Sequence, residues 1–263
     1  MTPLSPKSAD RAKSGARRQF DAWATAYDRS ILNKLLFRPS YLLMLEEVAR
    51  WLRERSAAGV ESDRPFRLLD VGCGTATFAA LLRGTGWPVE VLCMDYSFNM
   101  CATALAKLSA AMFRPSRQCV VSAAGSGLAR TSPVNDAPFT TTSESMETPV
   151  VVNADSEHLP FDDQSLDVIT CANSFHHYPR QSGVVREMRR VLKPGGRLIL
   201  LDGFRDNCIG WFVFDVMVTG IEKNVHHATW RELDAMFHDA GFVRVERRRR
   251  GVIAPILATI GTR

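Results

Sequence analysis

No apolar run in this 263-residue chain reaches the roughly 18 residues that mark a membrane-crossing helix. The longest candidate, residues 208–221, is shorter and carries Asp215. No transmembrane helix is expected, although contact with a membrane surface stays open. The first residues are rich in Ser, Arg and Lys and lack an apolar stretch, so they do not read as a secretory signal. The six cysteines, Cys73, Cys93, Cys101, Cys119, Cys171 and Cys208, contain no C-x-x-C pair, which argues against a zinc site. Several lie inside apolar runs, where cysteine behaves as a small hydrophobe. That usage suits a reducing compartment and predicts a cytoplasmic protein.

Nor does charge of one sign dominate. The net charge is +5, with 46% hydrophobic and 23% charged residues, an ordinary balance for a folded globular chain. Arg far outnumbers Lys. This fits either a solvated basic surface or an anionic partner such as nucleic acid. Length allows one large domain with appendages.

What is present is an alternation of strands and helices. Residues 1–16 read as a flexible tail, followed by a helical segment over 17–58 in which Leu42, Leu45, Val48, Ala49 and Leu52 recur at helical spacing. Strands are predicted at 66–71, 89–94, 149–153, 166–171 and 197–201, with helices at 77–83, 98–112 and 182–192 between them. Strands apolar throughout, alternating with helices, imply a parallel sheet covered on both faces. Thr229 and Glu232 form a capping-box pattern at the start of a helix that ends at Gly241. Residues 242–249 and 252–260 are too close in sequence for a parallel crossover, so they form an antiparallel hairpin. Residues 114–148, rich in Ser, Thr, Pro, Ala and Gly, read as a flexible insertion.

The segment that carries chemistry is Leu68-Leu69-Asp70-Val71-Gly72-Cys73-Gly74-Thr75-Ala76-Thr77. A buried strand runs into a Gly-x-Gly turn and then a helix. The glycines lack the Cβ atoms that would hold a ligand away from the backbone, and the carboxyl end of such a strand is where open α/β sheets bind ligands. Asp95 ends the second strand, where an acid can accept both hydroxyls of a ribose. A dinucleotide fingerprint would place a third glycine at position 77, which is Thr77. Asp70, just before the turn, suits an ammonium better than a pyrophosphate.

Five segments in this order resemble the class I methyltransferases, which use S-adenosylmethionine (AdoMet). They are residues 69–75, 95–100, 153–161, 166–169 and 192–198. The small-molecule and quinone methyltransferases of the ubiquinone/menaquinone type are the most similar group. The resemblance implies a Rossmann-like, doubly wound sheet of seven strands, mostly parallel with a C-terminal antiparallel hairpin, over residues 17–263. It implies that Asp70, Gly72, Cys73 and Gly74 line the methionine part of AdoMet, that Asp95 holds the ribose, and that Tyr96 and Met100 lie beside the sugar and adenine. Asp155 would accept from the adenine amino group with Ser156 adjacent, Asn173 would sit near the methionine part, and Tyr27 would act as a lid residue.

The end of the fourth strand, Asn173-Ser174-Phe175-His176-His177-Tyr178, departs from an Asn-Pro-Pro-Tyr motif, which argues against methylation of adenine or glutamine amino groups. No Pro-Cys nucleophile follows that strand, which argues against cytosine C5 chemistry. His176 and His177 are the candidate general bases, because imidazole titrates near neutrality. His226 and His227 could line an acceptor pocket. Residues 204–228, with Trp211, Phe212, Phe214, Val216 and Met217, read as a cover over an apolar, aromatic or lipid-like acceptor. The run 247–250, all arginine, could attract an anionic lipid or nucleic acid. The expected activity is methyl transfer to a small acceptor by in-line displacement. Alternatives are a methyltransferase acting on RNA or protein, a non-catalytic AdoMet-binding regulator, and a nicotinamide-dependent oxidoreductase.

Overall fold

The computed structural model describes residues 6–24, 31–60, 62–112, 148–203, 206, 226–250 and 256–263. Tyr27, the insertion from 114 through 147 and most of the cover, 204–205 and 207–225, lie outside the described residues. Among the described residues, no helix is long and apolar enough to cross a membrane.

Two helices, α1 (Pro6–Trp23) and α2 (Ile31–Ala57), precede a regular alternation. It runs β1 (Phe66–Val71), α3 (Thr77–Arg83), β2 (Val89–Asp95), α4 (Phe98–Met112), β3 (Val150–Asn153), β4 (Leu166–Ala172), α5 (Gln181–Val191), β5 (Leu192–Gly203), α6 (Trp230–Ala240), β6 (Arg244–Arg250) and β7 (Ile256–Thr262). The seven strands form one sheet in the order β3-β2-β1-β4-β5-β7-β6. The first five pair in parallel, and β7 inserts antiparallel between β5 and β6. The expected doubly wound sheet with an antiparallel hairpin is therefore present. The chain winds outward from β1 to β3, then returns to β4, so the sheet reverses direction between β1 and β4. Such a reversal leaves a crevice at the carboxyl ends of the strands.

Strand periodicity sorts the core into two layers. Leu68, Val91, Cys93, Val168, Ile199 and Leu201 face α2, α3 and α4. Their neighbours Leu69, Leu92, Met94, Ile169, Leu198 and Leu200 face α5 and α6. Each central strand is thus apolar on both faces, as a sheet covered on both sides requires.

Local signals at the C-terminal end appear as expected. Thr229 Oγ1 accepts from the Glu232 N–H at 3.2 Å, and Glu232 Oε2 accepts from the Thr229 N–H at 2.8 Å. Gly241 ends α6 with φ +89°, the left-handed region that glycine enters without a Cβ penalty.

Two boundaries differ from the sequence reading. The stretch 1–16 is not a tail throughout, because α1 begins at Pro6. A distant anchor holds it: Lys13 Nζ lies 2.6 Å from Asp155 Oδ2 and 2.9 Å from Glu157 Oε2. Strand β5 begins at Leu192, ahead of the Pro194-Gly195-Gly196 breakers. A register irregularity against β4, between Leu166 and Val168, absorbs the turn within the ladder.

Candidate active site

A cleft of about 1070 Å³, counting its open mouth, lies over the carboxyl ends of β1, β2, β3 and β4. Asp70, Gly72, Cys73, Gly74, Asp95, Tyr96, Met100, Asp155, Ser156, Asn173 and His177 all line it. Of the residues singled out in the sequence, His176 is buried behind this wall, and Tyr27 lies outside the described residues.

The turn after β1 is tied down by two bonds. The N–H groups of Gly72 and Cys73 both donate to the Met94 carbonyl, at 2.8 and 3.0 Å. The two glycines have different tasks. Gly72, at φ +70°, carries no Cβ because one would lie 2.4 Å from Ser174 Oγ and 2.7 Å from Tyr178 Oη. The expectation that it clears space for a ligand is corrected: its missing side chain admits the protein's own β4 tip. Gly74, at φ +54°, would direct a Cβ into space with no atom within 4 Å, so it is the residue that bares backbone to the cleft.

Carboxyls sit on three neighbouring strand tips. Asp70 is buried and accepts from Thr170 Oγ1 at 2.9 Å. Burial pushes its carboxyl up to about 7, helped by the nearby charge of Asp95 and opposed by Thr170. Asp95 accepts the N–H of Gly74 at 2.9 Å on one oxygen and the N–H of Ser97 at 2.8 Å on the other. Burial raises its carboxyl too, against the pull of those bonds. Each oxygen keeps a lone pair for a further donor. Asp155 accepts from the Glu157 N–H at 2.9 Å, and Lys13 covers its other oxygen. Asn153 Nδ2 donates to the carbonyls of Asp95 and Tyr96 at 2.9 and 3.1 Å, fixing the β3 tip against the β2 tip.

On the β4 side, Asn173 adopts φ +54°. Its Oδ1 accepts from Ser40 Oγ at 3.2 Å, while its buried Nδ2 has no hydrogen-bond partner among the described residues. A buried donor left unmatched is costly, and this one lies in the wall of the cleft. His177 follows on a 3₁₀ turn, its ring 4.8 Å from that of Phe20 and 4.2 Å from that of His176. Burial, then the neighbouring His176, holds the His177 imidazole well below its usual value, so it is neutral at pH 7. His176 Nδ1 sits 2.7 Å from Asp202 Oδ1, and the His176 N–H donates to Asp202 Oδ2 at 3.0 Å. Burial raises the Asp202 carboxyl, but His176 and His227 beside it outweigh that and hold it well below the usual carboxylate range.

Two groups of residues were missed in the sequence. Lys13, Ala16, Arg17 and Phe20 of α1 line the cleft. Their spacing of i, i+3, i+4 and i+7 is a helical face, a signal present in the sequence but masked by the polar residues around it. Asp202 lies next to the end of β5, much as Asp70 and Asp95 lie at or near the ends of theirs; an acid closing an apolar strand was the available cue.

Similarity to known proteins agrees with this geometry. A family model described as a methyltransferase domain matches residues 132–200. A demethylmenaquinone methyltransferase of Geobacillus kaustophilus is 28% identical over 250 residues, covering 87% of this chain and 88% of that protein. One from Staphylococcus aureus is 26% identical, covering 82% and 84%. Among solved structures, magnesium protoporphyrin IX methyltransferase from Synechocystis, with bound SAH, superposes with a TM-score of 0.63 at 14% identity, covering 95% of this chain and 99% of that one. A SAM-dependent methyltransferase from Thermotoga maritima gives 0.58 at 18% identity, covering 92% and 97%. In fold and in sequence the chain is thus similar to AdoMet-dependent methyltransferases.

Proposed function

We propose that the chain methylates a small aromatic, quinone-type acceptor held against His177. The observation that carries this reading is one cleft joining three strand-tip carboxyls to a half-buried, neutral imidazole. The relatives named demethylmenaquinone methyltransferases support the acceptor class.

The residues present fit AdoMet. Asp70 would face its ammonium, Asn173 Nδ2 its carboxylate, Gly74 its close approach to the backbone, Asp95 its ribose hydroxyls and Asp155 its adenine amino group. Tyr96 and Met100 flank the sugar and base, with Cys73 and Ser156 filling the wall between. Bound AdoMet supplies a methyl group already activated on a sulfonium. The chain's own work is to align the acceptor with that methyl for in-line attack, exclude water and receive a proton. Alignment alone contributes on the order of 7–11 kcal/mol in favourable cases. The nucleophile is the acceptor's reduced, hydroquinone form, and a ring nitrogen of His177 accepts its hydroxyl proton. His176, held by Asp202, backs the His177 ring, and Phe20 of α1 packs against it.

Arginines of β6 are matched by partners rather than presented as bare charge. Arg248 pairs with Glu47 at 2.9 Å, Arg250 with Glu46 at 2.8 Å, and Arg247 stacks over Trp230 at 4.6 Å. This favours a small acceptor over RNA.

Incubation with methyl-labelled AdoMet and cell extract, fractionated into lipid, small-molecule, RNA and protein pools, tests the reading. Label in the quinone-containing lipid pool is expected; label confined to RNA or protein would overturn it. Binding of AdoMet without transfer to any pool would identify a regulator instead.

Two predictions concern the cofactor alone. Asp95→Ala should weaken AdoMet by about 1.5–3 kcal/mol, the worth of hydrogen bonds to a charged group. Unchanged affinity in calorimetry would remove Asp95 from the site. The second follows from Asp70, whose carboxyl stands at about 7. An ammonium beside it favours the carboxylate, so AdoMet binding near pH 7 should release a proton. Affinity should fall as the pH drops below about 7, by up to about tenfold per pH unit. Calorimetry in two buffers of different ionisation enthalpy reads the released proton, and Asp70→Asn should abolish it. A pH-independent affinity in the wild type would refute this role.

A further inference from the structure

Behind the His177 wall, three elements bring nitrogen and oxygen donors together. His176 comes from the turn after β4, Asp202 from the end of β5 and His227 from the lead into α6. One donor atom from each residue lies within 4.8 Å of the other two, and all three residues are buried, at 6%, 6% and 3% exposure. The measured separations are 2.7 Å from His176 Nδ1 to Asp202 Oδ1 and 3.8 Å from that oxygen to His227 Nδ1.

We propose that His176, Asp202 and His227 form a binding site for a divalent transition metal of the zinc class. Two imidazoles and one carboxylate are an ordinary donor set for such ions. An ion about 2.1 Å from each donor in tetrahedral geometry needs the donors roughly 3.4 Å apart. That value lies between these two separations, and all three donors lie within 4.8 Å of one another, so shifts of about an ångström would form the site.

The surroundings orient these donors. Asp202 accepts the Gly203 N–H at 2.8 Å on Oδ1 and the His176 N–H at 3.0 Å on Oδ2, which fixes the plane of its carboxylate. The His226 N–H donates to the His176 carbonyl at 2.7 Å, and Gln181 Nε2 donates to the carbonyls of His226 and Phe175 at 2.8 and 3.1 Å. These bonds hold the two histidine-bearing segments side by side before any ion arrives, the arrangement outer residues provide around metal ligands. The site differs in kind from the cysteine pairs whose absence argued against zinc. Its ligands are 26 and 25 residues apart in the chain (202 − 176 and 227 − 202). A bound ion would tie the β4 turn to both flanks of the stretch 204–225, and would set the placement of His177 one residue away.

The test uses the full-length protein after dialysis against a chelator, titrated separately with Zn²⁺ and Co²⁺. Expected are saturable binding of one ion per chain by calorimetry, a higher thermal midpoint with Zn²⁺, and visible Co²⁺ d–d bands without a thiolate charge-transfer band. Asp202→Asn and His227→Ala, checked for folding by circular dichroism, should each lose these signals. The proposal is overturned if the folded wild type binds no ion, which would make the cluster a hydrogen-bonded triad only. It is equally overturned if Co²⁺ shows thiolate ligation, or if a folded variant binds as the wild type does.

Discussion

Gly72→Val is expected to lose AdoMet binding and to lower the thermal midpoint sharply, whereas Gly74→Ala should leave the fold nearly intact. A Cβ at Gly72 would overlap Ser174 and Tyr178, at 2.4 and 2.7 Å. Tyr178 Oη and Ser174 Oγ are themselves 3.2 Å apart, and Ser174 Oγ reaches the Val71 carbonyl at 3.4 Å. The intruding side chain would have to push both hydroxyls aside and break these contacts. A branched residue at φ +70° adds backbone strain of about 1–3 kcal/mol, and overpacking adds about 1–3 kcal/mol more. Together these approach the whole stability of a marginal domain, on the order of 5–15 kcal/mol. At Gly74 only the strain applies, because nothing lies within 4 Å; its cost should appear mainly in affinity. Thermal unfolding and calorimetry on both variants decide the matter. Equal losses of stability at the two positions would refute the division of labour between them.

Replacing His177 should have the largest effect on turnover. His177→Ala is expected to lower kcat by about 10²–10⁴, the usual contribution of a positioned base, while AdoMet affinity changes far less. The sign of its pH dependence follows from the depressed imidazole. Because burial and His176 hold it well below 6.5, the neutral base is fully present at pH 7, and protonation removes it only in more acid solution. At saturating AdoMet, which keeps Asp70 ionised, kcat should stay flat from about pH 8 through the ordinary imidazole range and fall only in more acid solution. A wild-type profile already falling at pH 7.5, or a His177→Ala enzyme with undiminished kcat, would exclude His177 as the base.

Much of this cleft could be read from the chain because its parts announce themselves locally. Asp70-Val71-Gly72-Cys73-Gly74 joins a strand signal to a turn signal, Asp95 closes an apolar run, and Thr229 with Glu232 spells a helix start. Each depends on neighbours within a few positions. The parts that escaped reading depend on distant partners. α1 is held by Lys13 reaching Asp155 and Glu157 across more than a hundred residues, and nothing in its polar sequence names that destination. The bond from His176 to Asp202 spans two strands. β5 runs through Pro194, Gly195 and Gly196 because the ladder tolerates an irregularity there, where local rules place a stop. Gly72 was seen but misjudged, since only the packed structure reveals that Tyr178 fills the space beside it.

The helix that opens the chain touches each of three strand tips. Lys13 grips the β3 tip, the Asp21 carboxylate takes Ser97 Oγ at 2.5 Å beyond the β2 tip, and Phe20 packs on His177 beyond β4. Seen this way, α1 is a latch across the entrance, fastened partly by ammonium-to-carboxylate contacts. Truncating the protein at residue 17 would unfasten the Lys13 end and leave Asp155 and Glu157 facing each other without their shared cation. Nucleoside exchange should then quicken, while the seal against solvent during transfer is lost. A preparation trimmed for convenience would load its cofactor readily and turn over poorly.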